Sequence, residues 1–196
     1  MKPTLRLIYP ASIAPRQVEA AMTGLEPFRR FGILVERVPA CHMAFEGVRY
    51  PDPLRTVAFA DGDVRIDSLK AKPDDTRRIL GIAITPHRIL CSSDSDVAPI
   101  AGMVEYLKSG VLSISTPLRQ LETLRNLMIT MLLTYEGGHL LIPNKEVSDC
   151  PDGHCLMRRN SDFEQMLQRM TAKDLDFCAE CGHAIREAVS LLSCAQ

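Results

Sequence analysis

Four cysteines crowd the C-terminal part of this chain. Cys150-x4-Cys155 and Cys178-x2-Cys181 are two thiol pairs separated by 22 residues. Zinc takes four soft or borderline ligands at about 2.3 Å in a tetrahedron. Two short loops, each supplying two thiolates, meet that demand at little cost in chain entropy. The proline, aspartate and glycine of "CPDGHC" favour a tight turn that presents both sulfurs to one ion. Metal binding in such sites is worth many kcal/mol, enough to hold a thin subdomain together. The competing reading makes "CAEC" a redox pair, but a redox CxxC opens a helix after a strand, and the residues before Phe177 are polar and helix-like. His154 and His183 neighbour the cysteines, yet four thiols already close the site. Cys41, Cys91 and Cys194 read as buried, inert thiols.

A second stretch, "TMLLTYEGGHLLIPN" over 130–144, reads as the zinc-protease motif HExxH with its first histidine missing. That motif places two imidazoles at i and i+4 on one helix face to grip a single ion, with the glutamate as general base. Here Tyr135 stands in the first position, followed by Glu136 and, in the second ligand position, His139. A phenol with a pKa near 10 is mostly neutral at pH 7 and binds metal well only after losing its proton. His139 alone on an apolar helix face reads as a satisfied buried histidine, and Tyr135 as a core aromatic.

The elements that must position these residues follow from periodicity. "TLRLIY" (4–9) reads as a strand, "APRQVEAAMTGLEPF" as a helix that Pro27 ends or kinks, and "ILVERV" (33–38) as a second strand, together a β-α-β unit. Pro39 to Pro73 is weakly patterned, with one short helix at "VRIDSLKA". "RRILGIAIT" (77–85) is nearly continuous in apolar residues, as in a strand covered on both faces. "ILCSSDSDVAP" reads as a solvated loop, and "MVEYL" and "VLSIS" as an antiparallel pair. One long helix follows, with Thr116 as N-cap, Pro117 as first residue and Pro143 stopping it near Leu141 or Ile142. On it Leu121, Leu124, Met128, Met131, Tyr135 and His139 share one apolar face, and Gly137-Gly138 weakens the last turn.

Composition excludes several classes. The 196 residues suit one domain. A net charge of −1 and a pI near 6.5 offer no basic field for nucleic acid or an acidic membrane. No apolar run reaches the roughly 18 residues of a membrane span. The N-terminal apolar stretch is too short for a signal peptide, and seven cysteines, an odd number, argue against a disulfide framework. The expectation is a cytoplasmic protein.

With these residues in view, the chain resembles the archaemetzincins, compact zinc metallopeptidases whose pattern is HExxHxxGxxHC, then x4-C-x-M, then CxxC. Glu136 and His139 match the motif's glutamate and second histidine. Cys150, Cys155 and Met157 match C-x4-C-x-M without a gap, and Cys178 with Cys181 match CxxC after a spacer slightly longer than the family's. "RILGIAIT" and "GMVEYLKSGVLSIS" look like the family's strands before the active-site helix. The resemblance implies an α+β, metzincin-like fold with a mixed sheet, a long active-site helix and two zincs. One is a structural zinc on the four cysteines. The other is a catalytic zinc on three histidines, with the turn of Met157 beneath it. The resemblance also implies an edge strand that binds an extended peptide by adding a strand.

The pattern departs at the catalytic metal. Tyr135 replaces the first histidine, Ile142 the turn glycine, and Asp149 the third histidine, within a loop longer than the family's. Tyr135, His139 and Asp149 are therefore the possible ligands of a degenerate second site. The favoured reading is a single archaemetzincin-like domain: a sheet and helix subdomain over 1–141 and a zinc-bound subdomain over 142–196. It keeps the structural zinc, has a lost or weakened catalytic site, and binds a peptide or protein in the cleft. One alternative is an active zinc peptidase with Glu136 as general base. Another is a zinc-stabilised interaction module, whose partner contacts would lie outside 103–115 and 117–141.

Overall fold

The computed structural model describes residues 2–40, 48–49, 56–59, 79–86, 89–92, 97–100, 102–104, 106–107, 109–143, 150–158 and 176–194. Strand β1 (Thr4–Pro10), helix α1 (Pro15–Leu25) and strand β2 (Leu34–Ala40) form the expected β-α-β unit. Pro15 opens α1 without loss, because its missing N–H would have no partner in the first turn. The Gln17 side-chain oxygen accepts the Ala14 N–H at 3.2 Å. Pro27 does not stop the chain from coiling. It cannot donate to the turn before it, and the backbone tightens into a 3-10 helix, Glu26–Phe31, ended by Gly32 at φ 83°.

Two sheets follow from the pairing. The larger has the order β2-β1-β5-β9-β8, with β5 at Ile79–Thr85, β8 at Gly102–Val104 and β9 at Ser109–Ser113. Its first four strands run parallel, and β8 lies antiparallel to β9 at one edge. Strand β5 is buried along almost its whole length, as its continuous apolar run requires. The smaller sheet is antiparallel, in the order β3 (Val48–Arg49), β4 (Thr56–Phe59), β6 (Ile89–Ser92), β7 (Val97–Ile100). The stretch expected to be a loop at "ILCSSDSDVAP" thus contains two paired strands. Its serines and aspartates carry the turn signal that hides the short apolar flanks. The helix expected at "VRIDSLKA" lies outside the described residues.

The long helix is divided. A short helix α2 spans Ser115–Leu118, Leu121 is extended at ψ 150°, and α3 runs from Glu122 to His139. Leu121, expected on the core face, is 83% exposed. The actual core stripe of α3 is Ile129 and Leu133, which join Leu5, Leu7, Val18, Leu25, Ile82 and Leu112 in one cluster. Met128 and His139 are buried beside this stripe, as expected, and Tyr135 is partly buried against the same cluster.

Helices α1 and α3 approach closely because Gly24 has no side chain. A Cβ there would run into the Thr130 carbonyl oxygen and lie 2.9 Å from Leu133 Cβ. Two hydroxyls staple the crossing: Thr130 donates to the Ala20 carbonyl at 2.9 Å and Thr134 to the Gly24 carbonyl at 2.7 Å. Backbone blocks the site, so Gly24→Ala should destabilise the protein by about 2 kcal/mol in urea unfolding, although alanine gains roughly 1 kcal/mol of helix propensity.

Candidate metal centre and the foot of helix α3

The "CPDGHC" segment folds as a tight turn. The Asp152 side chain accepts the His154 N–H at 2.9 Å, and the Asp152 carbonyl accepts the Cys155 N–H at 3.2 Å. Cys155 then pairs with Asp176 in an isolated parallel bridge. Leu156 N–H donates to the Asp176 carbonyl at 2.8 Å, and Asp176 N–H to the His154 carbonyl at 3.2 Å. Two residues on, the Cys178 carbonyl accepts the Gly182 N–H at 2.8 Å and so begins helix α4, Ala179–Cys194. Cys178 and Cys181 therefore sit at a helix N-terminus, whose unpaired N–H groups favour thiolates.

These turns bring Cys150, Cys155, Cys178 and Cys181 together, with all four sulfurs within 4.8 Å of one another. Among the described residues it is the one grouping of three or more Cys, His, Asp or Glu side chains close enough to share an ion. None of the four is in a disulfide, and Cys150 Sγ lies 3.6 Å from Cys178 Sγ. That separation is far beyond a disulfide and close to the edge of a tetrahedron with bonds of about 2.3 Å. Backbone N–H groups point at the sulfurs: Met157 and Cys178 donate to Cys155 Sγ at 3.4 Å each, and Cys181 to Cys178 Sγ at 3.5 Å. The residues present fit a tetrahedral thiolate-bound ion such as zinc.

Burial and hydrogen bonding shift these thiols in opposite directions. Burial pushes the Cys150 thiol up to about 11 and raises Cys181 further. At Cys178 burial also acts upward, but the hydrogen bonds from Cys181 and the other thiols outweigh it and hold the group below the ordinary thiol value. Without a cation, Cys150 and Cys181 thus favour the thiol form, and Cys178 ionises more readily than either. A bound divalent cation reverses this, because a coordinating thiol is deprotonated outright. His154 and His183 stay exposed, and His183 Nε2 lies 3.2 Å from a Glu187 carboxylate oxygen. Cys194, expected to be buried, is exposed at the end of α4. No burial is described for Cys91, and Cys41 lies outside the described residues.

The thiol cluster is packed onto the last turn of α3 through its two glycines. A Cβ at Gly137 would lie 2.9 Å from Phe28 Cε2, and one at Gly138 would overlap the Met157 sulfur. Phe28 in turn meets Phe177 at a ring-centroid distance of 5.4 Å. The glycine pair is thus a double socket: one residue admits the aromatic beside the cysteine loop, the other the buried methionine of C-x-M. Sequence reasoning read these glycines only as a weak turn. Helix α3 ends at His139, and Leu140, Leu141 and Ile142 follow fully buried. Ile142 thus puts an apolar side chain into the core. The Leu140 carbonyl accepts the Leu107 N–H at 2.8 Å, which pins the β8–β9 connection to the same corner.

Tyr135 and His139 face each other edge to face, with ring centroids 4.6 Å apart. His139 is buried and Tyr135 half-buried. Glu136, beside them on α3, is pushed up to about 7 by burial. Asp149, the possible third ligand, lies outside the described residues.

No family model matches the sequence, and no curated relative matches it. Solved structures do. The crystal structure of archaemetzincin from Methanopyrus kandleri shares 17% identity with a TM-score of 0.59, over 96% of this chain and 96% of that one. The zinc-dependent peptidase from Methanocorpusculum labreanum shares 15% identity with a TM-score of 0.61, over 92% of this chain and 99% of that one. The fold is therefore the expected mixed α+β, metzincin-like one, with its long helix and four-cysteine cluster.

Two outcomes follow from the geometry of the α3 terminus. Between about pH 4.5 and 7 the native state holds a proton on Glu136 that the unfolded chain releases, so stability falls as pH rises through this window. Glu136→Gln should remove that slope and exceed the wild type above pH 7 by at most about 3 kcal/mol, with no difference at pH 4, as thermal melts across pH would record. Gly138→Ala should cost about 1–2 kcal/mol by displacing Met157. In a double-mutant cycle with Met157→Ala, the added methyl should recover roughly 1 kcal/mol.

Proposed function

We propose that this chain, which has the fold of the two archaeal proteins, is a metalloprotease-shaped binding protein. In this reading it carries one structural zinc, on Cys150, Cys155, Cys178 and Cys181, and its catalytic zinc site is degenerate. The zinc would join residues 142–196 to the sheet and helix of 1–141. When bound, it supplies a fixed tetrahedral tie and leaves no open position for water.

The edge-to-face stack of Tyr135 on His139 carries the reading. A catalytic zinc needs about three protein ligands and an open site. Here the helix offers one imidazole, and the neighbouring position holds a neutral phenol packed against it. The buried Ile142 supports the same view, because an apolar residue fills the place where the resembling pattern turns sharply. Among the described strands, β8 is the edge of the larger sheet next to β9. An extended peptide adding to such an edge would be held by backbone hydrogen bonds.

A second reading is favoured by one observation. Glu136, with a carboxyl pushed up to about 7, has the affinity for protons that suits a general base near neutrality. In that reading His139, Asp149 and Tyr135 hold a second zinc, and the protein is a peptidase.

Metal analysis separates the two. Protein purified without chelator should hold one zinc equivalent, which survives His139→Ala and is lost in Cys178→Ser. Two equivalents, with peptide cleavage abolished in Glu136→Gln, would establish the second reading instead.

A further inference from the structure

We propose that Arg30, on the 3-10 helix, is a positioning residue for the four-cysteine site: it clamps the Asp176–Phe177 segment that sets Cys178 against Cys155. The proposal rests on reading the four cysteines as zinc ligands.

Three contacts define the clamp. Arg30 Nη1 donates to Asp176 Oδ2 at 2.6 Å, and its other terminal nitrogen pairs with Asp176 Oδ1, a two-pronged grip. The same guanidinium lies 5.3 Å from the Phe177 ring centroid and 4.9 Å from that of Phe31. Phe31 and Phe177 meet edge to face at 5.8 Å. One cation therefore holds two consecutive residues of the segment, one by its carboxylate and one by its ring.

Those two residues control where the thiols lie. The Asp176 backbone forms both hydrogen bonds of the bridge around Cys155, and its carboxylate accepts the Phe177 N–H at 2.7 Å. The next N–H, from Cys178, donates to Cys155 Sγ. A clamp on Asp176 and Phe177 fixes the approach of one cysteine pair to the other before any ion arrives. An exposed ion pair alone contributes little to stability, so its effect should be read in metal affinity and not in global unfolding. Other Arg–carboxylate pairs differ in this respect. Arg16 and Glu122 join α1 to the start of α3, away from the cysteine loop.

Zinc competition against a chromophoric chelator, with Co²⁺ absorption as a readout of ligand geometry, tests the proposal on the full chain. Arg30→Ala should weaken zinc binding by about 10- to 100-fold, the range for residues that orient metal ligands, and shift the Co²⁺ ligand-field bands. Arg30→Lys keeps the cation without the fork, so it should recover part of the affinity. Arg16→Ala should match the wild type. If Arg30→Ala fails to fold, Asp176→Asn carries the test in the same direction. Affinity within about twofold of wild type with an unchanged Co²⁺ spectrum would overturn the clamp and leave the zinc reading standing. Failure of the wild type to bind either ion would remove the zinc reading, and the clamp with it.

Discussion

Four thiols within 4.8 Å of one another, on two turns far apart in sequence, set the arrangement of the C-terminal half. Their convergence requires the Asp152 turn, the Cys155–Asp176 bridge and the N-terminus of α4 to be in register at once. Burial opposes it, because it raises the Cys150 and Cys181 thiols and so disfavours their charged forms. Backbone N–H groups aimed at sulfur favour the charged form. The arrangement has the chemistry of a four-thiolate, tetrahedral metal site.

The tie is seated on α3, whose faces carry separate loads. Thr130, Thr134 and the approach at Gly24 lock one side against α1. The glycine pair near its end admits Phe28 and Met157, so the aromatic beside the cysteine loop and the methionine after it reach the helix backbone. Helix propensity is sacrificed there for contact, since two adjacent glycines weaken a last turn. Tertiary packing holds the turn through His139 nonetheless.

Tyr135, Glu136 and His139 occupy another side of the same turn. Tyr135 and His139 stack edge to face one helical turn apart, and the buried Ile142 follows. Glu136 is left as a buried carboxyl with a raised proton affinity. Tyr135 packs against the core cluster of Leu5, Ile82, Ile129 and Leu133, and Ile142 belongs to it, so both side chains add apolar contact to the fold.

The sequence by itself determined the cysteine spacing, the β-α-β opening, the buried run of β5, and a Tyr135-Glu136-x-x-His139 pattern with one imidazole. Each is a local signal: ligand type and spacing, apolar periodicity, or a motif of five residues. Only the tertiary structure decided the rest. Polar turn residues hid the β6–β7 pairing, because strands that short are stabilised by their neighbours and not by their own composition. Periodicity merged α2 and α3 into one helix, since it does not register a single extended residue at Leu121. The sockets at Gly137 and Gly138 and the grip of Arg30 on Asp176 join residues over a hundred positions apart or on separate loops. No chain-local pattern encodes such contacts, because their energy exists only once both partners have been brought together.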